Sequence, residues 1–201
     1  MRNLLWRLVA FIVTRPTLTA WLITRAHRTP YFHITSQDGS SIYMGRWWLF
    51  NAYGRGPDGE TLPARWSWLP SVRIHHIMRP DTDRHLHDHP WNARTIVLDG
   101  CYTEERPTSG MQRDELLRAD GFVLPPDEPR RALFHRRAGY TGRLLFGQYH
   151  RISTVSEGGV WTMFWTWRKQ GTWGFDVDGV KVPWREYLNE NTPSTRDASQ
   201  P

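Results

Sequence analysis

His87 and His89, in the run His87-Asp88-His89-Pro90, are the side chains of this sequence best suited to chemistry. Alternate side chains of an extended strand share a face, so both imidazoles project to one side and Asp88 to the other. Two neutral imidazoles on one face can grip a single divalent metal ion. A site that keeps open positions needs about three protein ligands. His150, in Gly147-Gln148-Tyr149-His150-Arg151-Ile152, alternates with Gln148 and Ile152 and supplies the third. The candidate metal set is therefore His87, His89 and His150.

Two further groups follow from a turn. The segment Ala93 to Leu98 reads as a strand running into Asp99-Gly100, a strong signal for a two-residue hairpin. That hairpin sets Val97 opposite Tyr102 and Thr95 opposite Glu104, and opposed residues share a face. If Ala93, Thr95 and Val97 line a barrel interior, a phenol and a carboxylate line it too. Both are costly there without a partner. Glu104 and Tyr102 are thus the candidate catalytic groups, for moving protons beside a metal. An arginine across the strands is the bland partner for Glu104, and packing the bland role for Tyr102.

Arg94, Gln148 and Trp91 are the candidate substrate contacts. Arg94 and Arg73 carry the charge for an anionic substrate, although ordinary surface salt bridges account for them better. His85 shares the parity of His87 and is placed on the rim. His75 and His76 are adjacent on a strand, so only one faces inward. His27, His33 and His135 belong to no constellation and read as surface or packing residues.

The elements that must hold these side chains are mainly strands. From Tyr31 to about residue 188, short apolar runs are punctuated by Gly, Pro and Asp turns, the pattern of an all-β sandwich or barrel. Strands are expected over Ser71–Met78, Ala93–Leu98, Cys101–Glu104, Tyr140–Ile152 with interruptions, and Val160–Trp167. The Trp161–Trp167 stripe is core. A short closing helix is expected near Pro183–Leu188.

Residues 1–30 form a helical lead-in. Leu4, Leu5, Leu8, Phe11 and Ile12 recur at helical spacing, and a second helix follows Pro16, from Leu18 to Ala26. These helices pack on the barrel or rest on a membrane surface or partner. The first apolar run is interrupted by Arg7 and is shorter than the about 20 residues a spanning helix needs. The domain proper is expected over 31–188, with a flexible excursion at Tyr53–Glu60 and a disordered polar tail at 189–201.

The 201 residues suffice for one domain, and twelve tryptophans and eight phenylalanines favour a strand-rich core. Net charge is +6, yet the arginines are scattered and no nucleic-acid motif is present, so nucleic acid is not an expected partner. Cys101 is the only cysteine, which excludes an internal disulfide and suits a cytoplasmic setting. Gly-rich phosphate loops, Ser-His-Asp arrangements and CxxC pairs are absent.

With these residues placed, the chain resembles the cupin superfamily. The first cupin motif is Gly, five residues, His-x-His, three or four residues, Glu, six residues, Gly. Here Asp81, His87-Asp88-His89, Ala93 and Gly100 keep that spacing. The second motif is Gly, five residues, Pro-x-Gly, two residues, His, three residues, Asn. Here it reads Gly139, Leu145-Phe146-Gly147, His150 and Thr154. Ala93 replaces the usual metal-binding Glu, and Leu145 and Thr154 replace the Pro and Asn. The run from Trp48-Leu49-Phe50-Asn51 through His87-Asp88-His89-Pro90-Trp91 to Trp173-Gly174-Phe175 and Val182–Leu188 is similar to an uncharacterised cupin group of tailed bacteriophages and bacterial genomes.

The resemblance implies an all-β double-stranded β-helix, a jelly-roll barrel, preceded by short N-terminal helices. A set of three histidines without a carboxylate resembles the iron site of thiol dioxygenases, unless Glu104 replaces the missing ligand. It implies a divalent metal, iron first, with zinc, manganese or nickel as alternatives, and an oxygenase acting on a small molecule. Two other functions stay open: a non-catalytic module binding metal or a small ligand, and a phage-encoded structural protein. The resemblance also implies a homodimer, in the host cytoplasm if phage-encoded.

Overall fold

The computed structural model describes residues 2–36, 40–54, 56–57, 62–108, 122–123 and 131–190. Two helices lead, α1 (Arg2–Val13) and α2 (Pro16–Ala26). Strands β1 (Ile34–Thr35), β2 (Ile42–Phe50), β3 (Ser71–Ile77), β4 (Leu86–His87), β5 (Trp91–Asp99), β6 (Cys101–Pro107) and β7 (Phe122–Val123) come next. Then follow β8 (Arg131–Arg137), β9 (Thr141–Leu144), β10 (Arg151–Val155), β11 (Val160–Lys169), β12 (Gly174–Val177) and β13 (Val180–Pro183). Helix α3 (Trp184–Glu190) closes the described chain. The expected tail lies outside the described residues from 191 onward, and Asn189 and Glu190 still belong to α3. Part of the Tyr53–Glu60 excursion also lies outside them.

The strands form a six-stranded sheet in the order β1-β2-β3-β11-β5-β9, a four-stranded sheet β10-β6-β8-β7, and a small sheet β13-β12-β4. Neighbours in every sheet are antiparallel. The two larger sheets meet across an apolar interior. Ile77, Val97 and Val160 from one pack against Tyr102 and Ile152 from the other. This is an all-β jelly-roll barrel.

Strand β11 shows why the pattern folds this way. Its sequence VWTMFWTWRK is rich in β-branched and aromatic residues, and it lies at the centre of the larger sheet between β3 and β5. Val160 and Phe164 pack on the inner side, whereas Met163, Trp161 and Trp165 belong to a second cluster on the outer side. Beneath the helices, Ala10, Leu22 and Ala26 pack against Val72, Ile74, Ile96, Leu98 and Met163. The larger sheet is thus covered on both faces.

One sequence expectation needs correction. Asp99-Gly100 is not a hairpin turn. Strand β5 pairs with β11 and β9, while β6 pairs with β10 and β8, so the dipeptide is a corner that carries the chain between sheets. The corner still needs glycine: φ is +76° at Gly100, and a Cβ there would meet the Gly159 carbonyl oxygen at 2.6 Å. Turn chemistry specifies the bend, not which strand fills the neighbouring edge. Tyr102 and Glu104 face inward by their own alternation on β6, not by opposition to β5.

For α1, whose orientation the sequence left open, the structure shows which side meets the barrel. The stripe Leu4, Leu5, Leu8, Phe11 and Ile12 is the exposed face, and the helix docks through Trp6, Val9, Ala10 and Val13. Strands β1, β2, β7, β8, β12 and β13 lie outside the runs singled out from the pattern. Helix α2 starts at Pro16, the residue type suited to a first helical turn.

Candidate metal centre

His87 ends the two-residue strand β4, which pairs with β12 through Phe175. On its other side, His87 exchanges both backbone hydrogen bonds with His150, each N–H donating to the other's carbonyl at 2.9 Å. His89 follows two residues later on the same side. The ligand atoms of His87, His89 and His150 all lie within 4.8 Å of one another. The Nε2 atoms of His89 and His150 stand 2.9 Å apart, and the His87 ring centroid is 4.9 Å from that of His150.

Ring nitrogens that converge so closely require either a proton shared between them or a cation. The electrostatics suit a cation. Burial holds His87 down to about 4, with the His150 ring adding to the shift and Asp81 and Asp88 opposing it. His89 is also held well below the ordinary histidine value, first by burial, then by His150, His87 and Arg73. Both rings are therefore neutral at pH 7 and offer lone pairs. The residues fit a metal ion: three imidazoles gathered around one point, with no carboxylate among them.

Of the two roles open to Glu104, the structure shows the pairing with arginine. It is 1% exposed, and both oxygens are taken. Oε1 accepts from Arg106 Nη2 at 2.8 Å and Oε2 from Arg136 Nε at 2.9 Å. Oε1 also stands 3.1 Å from His150 Nδ1. Burial pushes the carboxyl up, but Arg106, His150 and Arg136 together hold it well below the usual range. Glu104 therefore lies behind His150, where it favours the tautomer that leaves Nε2 free. Tyr102 is core, packed with Ile77, Val97, Ile152 and Val160.

A second carboxylate stands behind His87. Asp81 accepts from the Ile152 backbone N–H at 2.7 Å and from the Tyr43 hydroxyl, and its Oδ2 is 3.9 Å from His87 Nδ1. The only sequence signal for it was its place in the first motif, where cupins carry glycine. Asp88 points away from the histidines as alternation requires. It is fully buried, accepts from the Gly174 N–H at 2.8 Å and pairs with Lys181, which fastens the small sheet to the motif. Ala93 packs with Leu144 and Phe164, so the usual glutamate position is apolar.

The three substrate-contact candidates part company. Trp91 is at the site, its ring 6.3 Å from His89. Arg94 is on the opposite face of β5, its guanidinium 4.8 Å over Trp6 and its Nη1 donating to Thr141 Oγ1 at 3.0 Å. Gln148 is exposed, and its Oε1 accepts from Leu145 N–H at 2.9 Å. Residues 145–148 form a turn rather than a strand, so Gln148 and His150 do not share a face as alternation predicted.

The remaining histidines are accounted for. His85 pairs with the Tyr187 hydroxyl at 3.0 Å, off the metal cluster. His75 faces the interior, stacked on Phe164, while His76 stacks on Trp161. His27 packs on Trp47, His33 accepts from the Arg46 N–H, and His135 is exposed.

Arg73 is the functional candidate that alternation alone ranked too low. It is 2% exposed, on the same side of β3 as His75. Its guanidinium lies 5.1 to 5.6 Å from the rings of Trp91, Trp48, Phe164 and Tyr53. Nη1 donates to the Tyr53 hydroxyl at 3.0 Å, and Nε and Nη2 have no partner among the described residues. Trp91 and Phe164 flank both Arg73 and His89.

No family model and no curated protein matches the chain. Similar solved structures include a DMSP lyase, at 14% identity and TM-score 0.45 over 81% of this chain and 73% of that one. Another is Fe(II)-HppE with an alternative substrate, at 11% and 0.41, over 71% of this chain and 57% of that one. A third is oxalate decarboxylase from Bacillus subtilis, at 11% and 0.43, over 79% of this chain and 31% of that one. The strand order carries the fold assignment without them.

Proposed function

We propose that the protein is a metal-dependent cupin enzyme, an iron(II) oxygenase, acting on a small carboxylic acid. One observation carries the metal reading: His87, His89 and His150 converge within 4.8 Å, and burial keeps the first two rings neutral. Iron(II) would supply dioxygen activation at the positions the three ligands leave open. Zinc, manganese or nickel would fit the same nitrogen set.

This chain's residues would bind and orient. Glu104 holds the His150 ring from behind, and Asp81 stands behind His87. The unpartnered Nε and Nη2 of Arg73 form the edge of a guanidinium that takes both oxygens of a carboxylate. A substrate anion seated there would lie between Trp91 and Phe164, near His89. The surrounding rings exclude water and strengthen the pairing.

A second reading is favoured by one specific feature. Glu104 is fully engaged and Tyr102 is core, so neither is free to move protons at the site. A non-catalytic module that holds metal and an anion needs no such group. The homodimer, the cytoplasmic setting and the likeness to the phage and bacterial group are part of the proposal, and a structural role of a phage-encoded chain is a separate alternative to it.

The deciding experiment measures metal content and dioxygen uptake on the purified protein, wild type beside His150→Ala and Arg73→Lys. Near-stoichiometric metal lost in His150→Ala supports the metal site. Dioxygen uptake that depends on an added small acid and falls in Arg73→Lys, with metal retained, supports the enzyme. Bound metal without uptake across a panel of acids leaves the binding module. Absence of metal from the wild type after reconstitution with iron(II), zinc or manganese rejects both.

A further inference from the structure

We propose that helix α1 and the cleft beside it dock the protein onto an anionic membrane surface. The helix is apolar on two sides. Trp6, Val9, Ala10 and Val13 pack on the barrel, while Leu4, Leu5, Leu8, Phe11 and Ile12 project outward from the opposite face. Their exposures run from 47% to 72%, and Trp21 of α2 adds another ring at 59%. Large side chains gathered at this spacing make one continuous patch, more than scattered surface residues account for. A helix whose outer face is apolar and whose flank is basic suits the boundary between water and an apolar phase.

Charge identifies the environment. Residues 1–36 contain five arginines and no aspartate or glutamate. A cleft of about 420 Å³ opens along the helix, lined by Arg7, Arg94 and Arg143 together with Thr141 and Leu4, and no carboxylate lines it. Leu4 belongs to both the cleft and the apolar face, so the cationic and apolar surfaces are continuous. Arg15 stands at the other end, its guanidinium 3.8 Å over Phe11. This arrangement fits acyl chains beneath the helix and phosphate headgroups along its flank. A second copy fits less well, since self-association through this face would oppose two arginine-rich surfaces. No helix among the described residues is long and apolar enough to cross a membrane, so α1 would lie in the interface plane.

The test is sedimentation of the full chain with vesicles of phosphatidylcholine alone, and with vesicles containing about one-third phosphatidylglycerol. Wild type is expected to partition on the order of tenfold more strongly to the anionic vesicles, with the difference shrinking as salt rises. The double variant Leu8→Glu, Phe11→Glu should lose binding to both, and Arg7→Glu, Arg143→Glu should lose only the anionic preference. All four positions leave the buried face of α1 untouched, and circular dichroism checks that the fold is kept. Three outcomes overturn the proposal: no wild-type binding to anionic vesicles, binding unaffected by the Leu8 and Phe11 substitutions, or an oligomer by light scattering that those substitutions dissociate while vesicles remain unbound.

Discussion

His87 and His150 exchange both of their backbone hydrogen bonds, each N–H donating to the other's carbonyl at 2.9 Å. This bridge joins two motifs distant in sequence and presents their side chains to one point. It also means that the ligand geometry is held by main chain, which a side-chain substitution leaves in place. Loss of an imidazole should therefore empty the site without unfolding the barrel.

Glu104→Gln keeps the shape but removes the charge shared by Arg106 and Arg136. Breaking a buried pair in this way is expected to cost about 3–5 kcal/mol in urea unfolding. Metal affinity should fall by about 10–100-fold, because His150 loses the group that orients it. Stability and affinity both unchanged would show that Glu104 does not position His150.

Acid should weaken the metal-free protein before the carboxylates titrate. His75 is held well below its ordinary value, first by burial and then by Arg73 and Arg46, and His87 is lowered to about 4. The unfolded chain takes up these protons near about 6.5 while the folded chain does not. Stability is then fully present above about pH 6.5 and declines as pH falls, by about 1.4 kcal/mol per pH unit for each such group. For His87 the decline ends near pH 4. Urea midpoints measured down through this window should show the slope, and His75→Phe should make it shallower. A slope equal to wild type in that variant would contradict the assignment.

The two faces of α1 predict opposite outcomes. Trp6 packs edge-on to Trp165 at 5.2 Å and lies under Arg94, so Trp6→Ala should cost roughly 3 kcal/mol or more. Leu8 is exposed, and Leu8→Ala should stay within about 0.5 kcal/mol. Thermal melts of the two variants side by side decide it.

Asp88→Asn should loosen the small sheet. The carboxylate is fully buried between the Gly174 N–H and Lys181, and its amide replacement leaves the lysine without its charge partner. A stability loss of roughly 1–3 kcal/mol is expected. Because His87 and His89 flank this anchor, metal should also dissociate faster, and amide exchange of Phe175 and Asp176 should quicken. Unchanged exchange in β12 would place the anchor elsewhere.

Much of the site was legible in residue order, because strand alternation and motif spacing are local properties. His87 and His89 on one side, Asp88 on the other, and the apolar Ala93 in the glutamate position all follow from a chain extended by two residues per repeat. The aromatic and β-branched runs likewise marked β3, β5 and β11. What only the tertiary structure decided is which groups meet. The corner at Asp99-Gly100 looks like a hairpin until β11 occupies the edge that β6 would have taken. Glu104 looks free until Arg106 and Arg136 close on it, and Arg73 looks like one surface arginine among many until four rings enclose it. Even the stripe on α1 was visible without its orientation, since a helix apolar on both sides shows the sheet either face. Periodicity records which residues share a side; pairing partners and burial depend on contacts between distant segments, whose free energy is not written in any local window.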